Sequence, residues 1–255
     1  MRREGVTGTL YLIPTPLGDT PLEWVLPEQT RRIAAGLEVL IVERAKTARA
    51  FLKRLDTDLP LQAIRLLELN EHTPADVLPR LLEPLFEGRD VGLLSEAGCP
   101  AVADPGSELV RLAHAQGIRV CPLVGPSAIL LALMGSGLTG QRFAFHGYLP
   151  AKPTARRQAL RALESRAEAN DETQLFIETP YRSQTLFESI LAVCRDDTWL
   201  AVACDLTLPT QSLLTRSIAR WRERPPALQG RLCVFSIART PAAAPSRSPT
   251  WSTPP

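Results

Sequence analysis

The chain has 255 residues, with 29 Lys and Arg against 27 Asp and Glu, a formal net charge of +2, and 45% hydrophobic and 22% charged residues. That length allows one large or two modest domains with a sizeable core. The near-balanced charge excludes a uniformly basic nucleic-acid-binding surface, so any basic patch must be local. Five cysteines, Cys99, Cys121, Cys194, Cys204 and Cys233, are odd in number and lack metal-ligand spacing. Cys121, Cys204 and Cys233 lie in apolar strand-like runs and read as buried reduced thiols, without zinc or disulfides. Met1 to Gly5 carries no apolar signal core, and the longest apolar run, Ile129 to Met134, is too short to span a bilayer. The expectation is a soluble, cytoplasmic protein with no membrane partner.

In chain order, Thr9 to Ile13 reads as a buried strand. A helix follows, with Pro27 near its start and Gly36 just past its end. Glu38 to Val42 is the next strand. Ala48, Phe51, Leu52 and Leu55 give the i, i+3, i+4, i+7 stripe of an amphipathic helix. Ile64 to Leu69 is strand-like, and Val77 to Leu85 marks a helix that Gly88 ends. Val91 to Leu94 is a strand, Leu109 to Ala115 a helix and Ile118 to Val124 a strand. Continuous apolar strands alternating with helices predict a parallel sheet covered on both faces. Ser127 to Met134 reads as a buried helix and Arg142 to Tyr148 as a strand. Then come a charged helix from Thr154 to Ala169, a strand at Leu175 to Ile177 and a helix from Leu186 to Cys194. Trp199 to Cys204 is a strand, Ile218 to Trp221 a short helix and Arg231 to Ile237 a last strand. The fold class is therefore α/β, with two α/β domains. Residues 8–124 form an N-terminal domain on a mostly parallel sheet, residues 125–238 a C-terminal domain on a mixed sheet, and 239–255 a Pro/Ser/Thr/Ala-rich disordered tail.

The most informative stretch runs from Leu93 to Gly106, a strand entering a turn of small residues and then a helix. Asp104 reads as the helix N-cap and Pro105 as its first residue. Ser95, Ala97 and Gly98 leave little side-chain bulk, so a ligand could lie against bare backbone at a strand's carboxyl end. Pro14 and Pro16 stiffen the loop after the first strand, either as a rigid wall of a ligand cleft or as an ordinary strand-to-helix turn. Ser127, after Gly125-Pro126, can cap the next helix, whose free amides can bind polar ligand atoms, or it is a plain cap. Tyr148 and Glu178-Thr179-Pro180 end two further strands. Lys152, Arg156, Arg157, Arg161 and Arg166 crowd one segment, either to contact RNA phosphates or as a solvated helix face.

The order of these strings resembles the tetrapyrrole methylase superfamily (class III S-adenosylmethionine-dependent enzymes). They are Thr9 to Gly18, Asn70-Glu71-His72, Ser95 to Gly106, Pro122 to Ala128, Arg142 to Lys152 and Glu178-Thr179-Pro180. The nearest branch methylates a ribose 2′-hydroxyl of a cytidine in small-subunit ribosomal RNA, and the resemblance covers about residues 8 to 238. It implies two α/β domains with S-adenosylmethionine held between them, a homodimer, and an RNA partner. The alternative acceptor is a small molecule such as a tetrapyrrole or corrinoid precursor. A third reading is a cofactor-binding protein without catalysis. No Walker loop or GxGxxG is present, which argues against phosphate-anchored nucleotides. Carried over position by position, Pro14, Pro16, Ser95, Glu96, Ala97, Gly98, Ser127, Ala128, Tyr148, Glu178 and Thr179 face the cofactor. Glu43 and Glu71 are the acceptor-side groups, chosen from a set that also holds His72 and Glu178; no metal is implied. The chain departs from the family pattern at Glu96 (usually Asp), at Cys99 (usually Thr), in the string Glu43-Arg44-Ala45-Lys46-Thr47, and at Cys204 to Leu208. The RNA enzymes also carry a small C-terminal domain, where this chain has Thr240 to Pro255.

Overall fold

The computed structural model describes residues 7–239. They form two compact units, one reaching to Ala128 and including Thr207–Pro209, the other made of Ile129–Leu206 and the chain from Thr210 onward. The tail expected at 239–255 lies, from residue 240, outside the described residues.

The first unit holds β1 (Thr9–Ile13), α1 (Leu22–Val25), α2 (Glu28–Ala35), β2 (Val39–Val42), α3 (Ala45–Leu55), β3 (Arg65–Glu68), α4 (Leu78–Leu81), α5 (Glu83–Phe86), β4 (Val91–Leu94), α6 (Ser107–Ala115) and β5 (Arg119–Pro122). Its sheet runs β3-β2-β4-β1-β5 with every pair parallel. The central strands are buried on both faces, which explains their unbroken Val/Ile/Leu runs. One core joins Leu10, Ile41 and Val91 to Leu82, Leu85 and Leu109, and the other joins Ile13 and Leu40 to Leu26, Phe51 and Leu52. The α3 stripe of Ala48, Phe51, Leu52 and Leu55 is buried as its spacing predicts.

The second unit holds α7 (Ala128–Ser136, whose first residue belongs to the first unit), β6 (Phe143–Tyr148), α8 (Pro153–Asn170), β7 (Thr173–Glu178), α9 (Ser183–Val193), β8 (Trp199–Cys204), β9 (Ser212–Ser217), α10 (Ile218–Glu223) and β10 (Cys233–Ala238). Its sheet runs β6-β7-β10-β8-β9, parallel at β6–β7 and antiparallel elsewhere, the mixed sheet expected. Leu160, Leu163, Phe187, Ile190 and Trp221 cover it, and Trp221 donates its indole N–H to the Leu200 carbonyl at 2.8 Å.

Several expectations are corrected. The helix expected over 77–85 is three short pieces, a 3₁₀ turn at Ala75–Val77, then α4 and α5. Pro79 and Pro84 each sit near the start of a new piece, because a proline nitrogen cannot donate within a continuing helix. Asp104 does not cap α6: Gly106 holds that position at φ 130°, and Pro105 precedes the helix. The helix expected to be buried at 127–134 is apolar but leaves Leu130 57% and Met134 77% exposed. Cys121 is half-buried on the edge strand β5, whereas Cys204 and Cys233 are buried as expected. These two face each other across β8 and β10 with sulfurs 3.0 Å apart, and all five cysteines are free thiols. Among the described residues no helix is long and apolar enough to cross a membrane.

Candidate functional site

In the first unit the carboxyl ends of β1, β2 and β4 meet around the turn 95–98. Gly98 and Thr15 exchange both backbone hydrogen bonds, at 2.9 and 3.0 Å, forming an isolated antiparallel bridge. The Thr15 hydroxyl donates to the Ser95 carbonyl at 3.2 Å, and the Ser95 hydroxyl donates to the Gly98 carbonyl at 3.2 Å. These bonds fix the turn without bulky side chains. Gly98 sits at φ 79°, and a Cβ there would approach Leu17 Cδ2 to 3.3 Å. Gly125 lies so close to Pro14 that a Cβ would come within 2.4 Å of the ring, so the Pro14 loop and the 125–127 segment pack backbone to ring. Cys99 Sγ donates to the Pro126 carbonyl at 3.4 Å.

Beside this turn opens a cleft of about 240 Å³, lined among others by Pro16, Glu43, Thr47, Ser95, Glu96 and Ala97. Its polar side is acidic. The Glu96 amide donates to Glu43 Oε1 at 3.2 Å, and Thr47 donates to Glu96 Oε1 at 2.6 Å. Burial pushes the Glu43 carboxyl above its ordinary value; the Glu96 amide pulls it down, and the Glu96 charge raises it again. Asp104 is raised to about 6, first by burial and then by the charges of Glu43 and Glu96, against a lowering hydrogen bond from Ser95. Three carboxyl groups, Glu43 after β2 and Glu96 and Asp104 in the loop after β4, thus share one electrostatic environment, and a cation beside them would be favoured.

Of the residues singled out from sequence, Pro14, Pro16, Ser95 and Gly98 are buried in this arrangement, while Glu96 and Ala97 are exposed at the cleft. Ser127 and Ala128 are half-buried at the start of α7. Glu71 is exposed, its side chain 82% accessible and 3.5 Å from His72, yet its charge reaches Glu43 and adds to the rise of that carboxyl. Asp104, read from sequence as a helix cap, is the carboxylate that sequence reasoning missed.

In the second unit, Tyr148 is exposed at the end of β6 and Glu178 is buried at the end of β7. Glu178 Oε1 accepts from the Thr179 amide at 2.7 Å and from Arg182 Nη2 at 2.7 Å, while its Oε2 is buried without a partner. Among the described residues no group of His, Cys, Asp and Glu could hold a metal. The basic segment expected on α8 divides. Lys152, Arg157 and Arg161 are exposed, Arg166 pairs with Glu172 at 3.0 Å, and Arg156 is buried, so the five do not form one open basic face.

No family model matches the chain. Among curated proteins, ribosomal RNA small subunit methyltransferase I of Escherichia coli is 37% identical over 204 residues, covering 78% of this chain and 66% of its own length. The protein of that name from Xylella fastidiosa is 34% identical over 212 residues, covering 83% of this chain and 73% of its own. That from Micromonospora olivasterospora is 36% identical over 236 residues, covering 92% and 69%. The chain thus spans between 66% and 73% of the length of these relatives. Among solved structures, the methyltransferase CobJ superposes with a TM-score of 0.59 at 20% identity, covering 91% of this chain and 95% of its own. The uroporphyrin-III C-methyltransferase of Thermus thermophilus gives 0.52 at 19%, covering 91% and 92%. These two likenesses show the tetrapyrrole-methyltransferase fold. With relatives this similar over most of its length, the chain belongs to the ribosomal RNA small subunit methyltransferase I family.

Proposed function

We propose that the protein transfers a methyl group from S-adenosylmethionine to a ribose 2′-hydroxyl in the RNA of the small ribosomal subunit. The observation that carries this reading is the turn 95–98, pinned to Thr15 and flanked by Glu43, Glu96 and Asp104, in a chain of this family. The residues fit such a cofactor. Small side chains leave backbone accessible, and the carboxylates favour a positive centre. When bound, S-adenosylmethionine supplies a methyl group activated on a sulfonium. Pro14, Pro16, Ser95, Glu96, Ala97, Gly98, Ser127 and Ala128 are the proposed cofactor contacts of the first unit, and Tyr148, Glu178 and Thr179 those of the second.

The acceptor hydroxyl must lose a proton as it attacks, and a carboxylate whose proton affinity is raised toward neutrality is suited to hold it. Glu43 and Asp104 have that property. Glu43 is therefore retained with Glu71 as a proposed acceptor-side residue, and Asp104 is added. Holding the two reactants in line supplies up to about 7–11 kcal/mol of barrier reduction in model reactions, so rigid placement matters as much as the base. With an rRNA acceptor, the location proposed for the protein is the cytoplasm. A homodimer is proposed with it, supported by the exposed Leu130 and Met134 on α7.

The test is methyl transfer from labelled cofactor to deproteinised small-subunit RNA from a strain lacking the gene. Incorporation that protects one phosphodiester from alkaline hydrolysis is expected, because a 2′-O-methyl group cannot assist cleavage. Absence of incorporation while cofactor binding persists would remove the reading. Labelling of a tetrapyrrole precursor instead would establish the small-molecule alternative.

A further inference from the structure

Arg156 stands in the first turn of α8, and its side chain does something unusual for an arginine. The residue is 6% exposed, its Nε is buried with no hydrogen-bond partner, and its Nη1 reaches only the Ala151 carbonyl at 3.4 Å. No carboxylate pairs with it among the described residues. Glu164, the buried acid two turns further along the same helix, is taken by Thr198 and by the Arg195 amide. A guanidinium stays charged at any ordinary pH, and burying that charge uncompensated opposes folding. The fold therefore carries a cost that a bound anion would remove.

The surroundings suit one. The contact with Ala151 puts the guanidinium beside the N-terminus of α8, an eighteen-residue helix with no acidic residue in its first turn. No side chain caps it. The Arg156 amide already bonds to the Lys152 carbonyl at 2.9 Å, which leaves the Thr154 and Ala155 amides without intrahelical acceptors. Helix amides, an exposed lysine and a planar guanidinium fork are the donor set that phosphate oxygens accept from. We propose that this β6–α8 junction, residues 151–156, is a phosphate-binding site, occupied by a backbone phosphodiester of the RNA substrate. The phosphate site stands on its own geometry; the RNA occupant rests on the function proposed above.

Thermal unfolding in inorganic phosphate against chloride at matched ionic strength reads the site directly, using the whole chain and the Arg156→Met and Lys152→Ala variants. The unsubstituted protein is expected to gain about 2–4 °C in phosphate beyond any salt effect common to all three proteins. Arg156→Met, freed of a buried charge, is expected to unfold in chloride no lower than the parent and to lose the phosphate gain. Lys152→Ala removes an exposed side chain, keeps the fold and loses part of the gain. Equal phosphate gains in all three overturn the site. Binding of deproteinised small-subunit RNA against salt concentration reads the occupant. The slope of log affinity is expected to fall by about 0.7–0.9 in Arg156→Met. An unchanged slope in both variants overturns the RNA occupant while leaving the proposed acceptor intact. A phosphate gain lost in the variants, in a protein that neither binds nor methylates RNA, upholds the site and removes the acceptor reading.

Discussion

Asp104 shows how a residue's chemistry is set by neighbours the sequence does not place beside it. Its carboxyl rises from 3.8 to about 6 because it is half-buried and faces Glu96 of its own loop and Glu43 from the end of β2. The folded state then holds a proton that the unfolded chain releases between about pH 4 and 6, so stability falls as pH rises through that window. A two-unit shift is worth about 3 kcal/mol at full value; for a group this exposed, solvent screening reduces it to about 1 kcal/mol. Asp104→Asn is therefore expected to unfold about 2–4 °C higher than the parent at pH 7 and with no gain at pH 4, by calorimetry at both values. The same variant is expected to lose the rise of the methyl-transfer rate between pH 5 and 7; a parallel pH profile would exclude Asp104 from proton transfer. The turn itself was readable: Ser95, Ala97 and Gly98 stand out as small residues after an apolar strand. Gly98→Val places a β-branched residue at φ 79° against Leu17, a local strain of about 1–3 kcal/mol. The fold is expected to survive and cofactor affinity, measured by titration calorimetry, to vanish. Unchanged affinity would move the cofactor away from this turn.

Elements with strong periodicity were legible, and those governed by edges or prolines were not. The α3 stripe and the buried strands β2 and β4 follow from apolar spacing alone. Strand β9 was missed because an edge strand shows no clean alternation; its residues are mostly half-buried, and pairing with β8 holds it in place. The α8 pattern misled in another way. Its arginines look like one charged face, yet the helix turns Arg156 and Glu164 inward. Glu164 ties α8 to the loop before β8 through Thr198 and the Arg195 amide. Glu164→Ala strands both donors, at about 2 kcal/mol in total, and lowers the unfolding temperature by about 4–8 °C. Glu164→Gln keeps an acceptor in place and is expected to recover at least half of that loss. Equal losses in the two variants would show that packing, and not the hydrogen bonds, holds the loop.

For the whole molecule, the two-sheet organisation was written in the alternation of strands and helices, and the family in the order of short strings at strand ends. What neither could supply is how an apolar helix is used. Helix α7 has no polar face, and apolar helices of this kind belong in a core, yet Leu130 and Met134, four residues apart, are left in solvent. Exposing two large side chains on one helical face forfeits about 1.5–3 kcal/mol apiece, a loss recovered if a second copy covers them. The proposed dimer accounts for this exposure. Sedimentation of the parent is then expected to give twice the 28.0 kDa chain mass. Leu130→Glu with Met134→Glu introduces like charges across a two-fold interface, where each substitution meets its own copy. That variant is expected to sediment at the chain mass with its unfolding temperature otherwise retained. A parent that sediments as a monomer, or a double variant that stays dimeric, would take α7 out of the interface and leave its exposed face without a role in assembly.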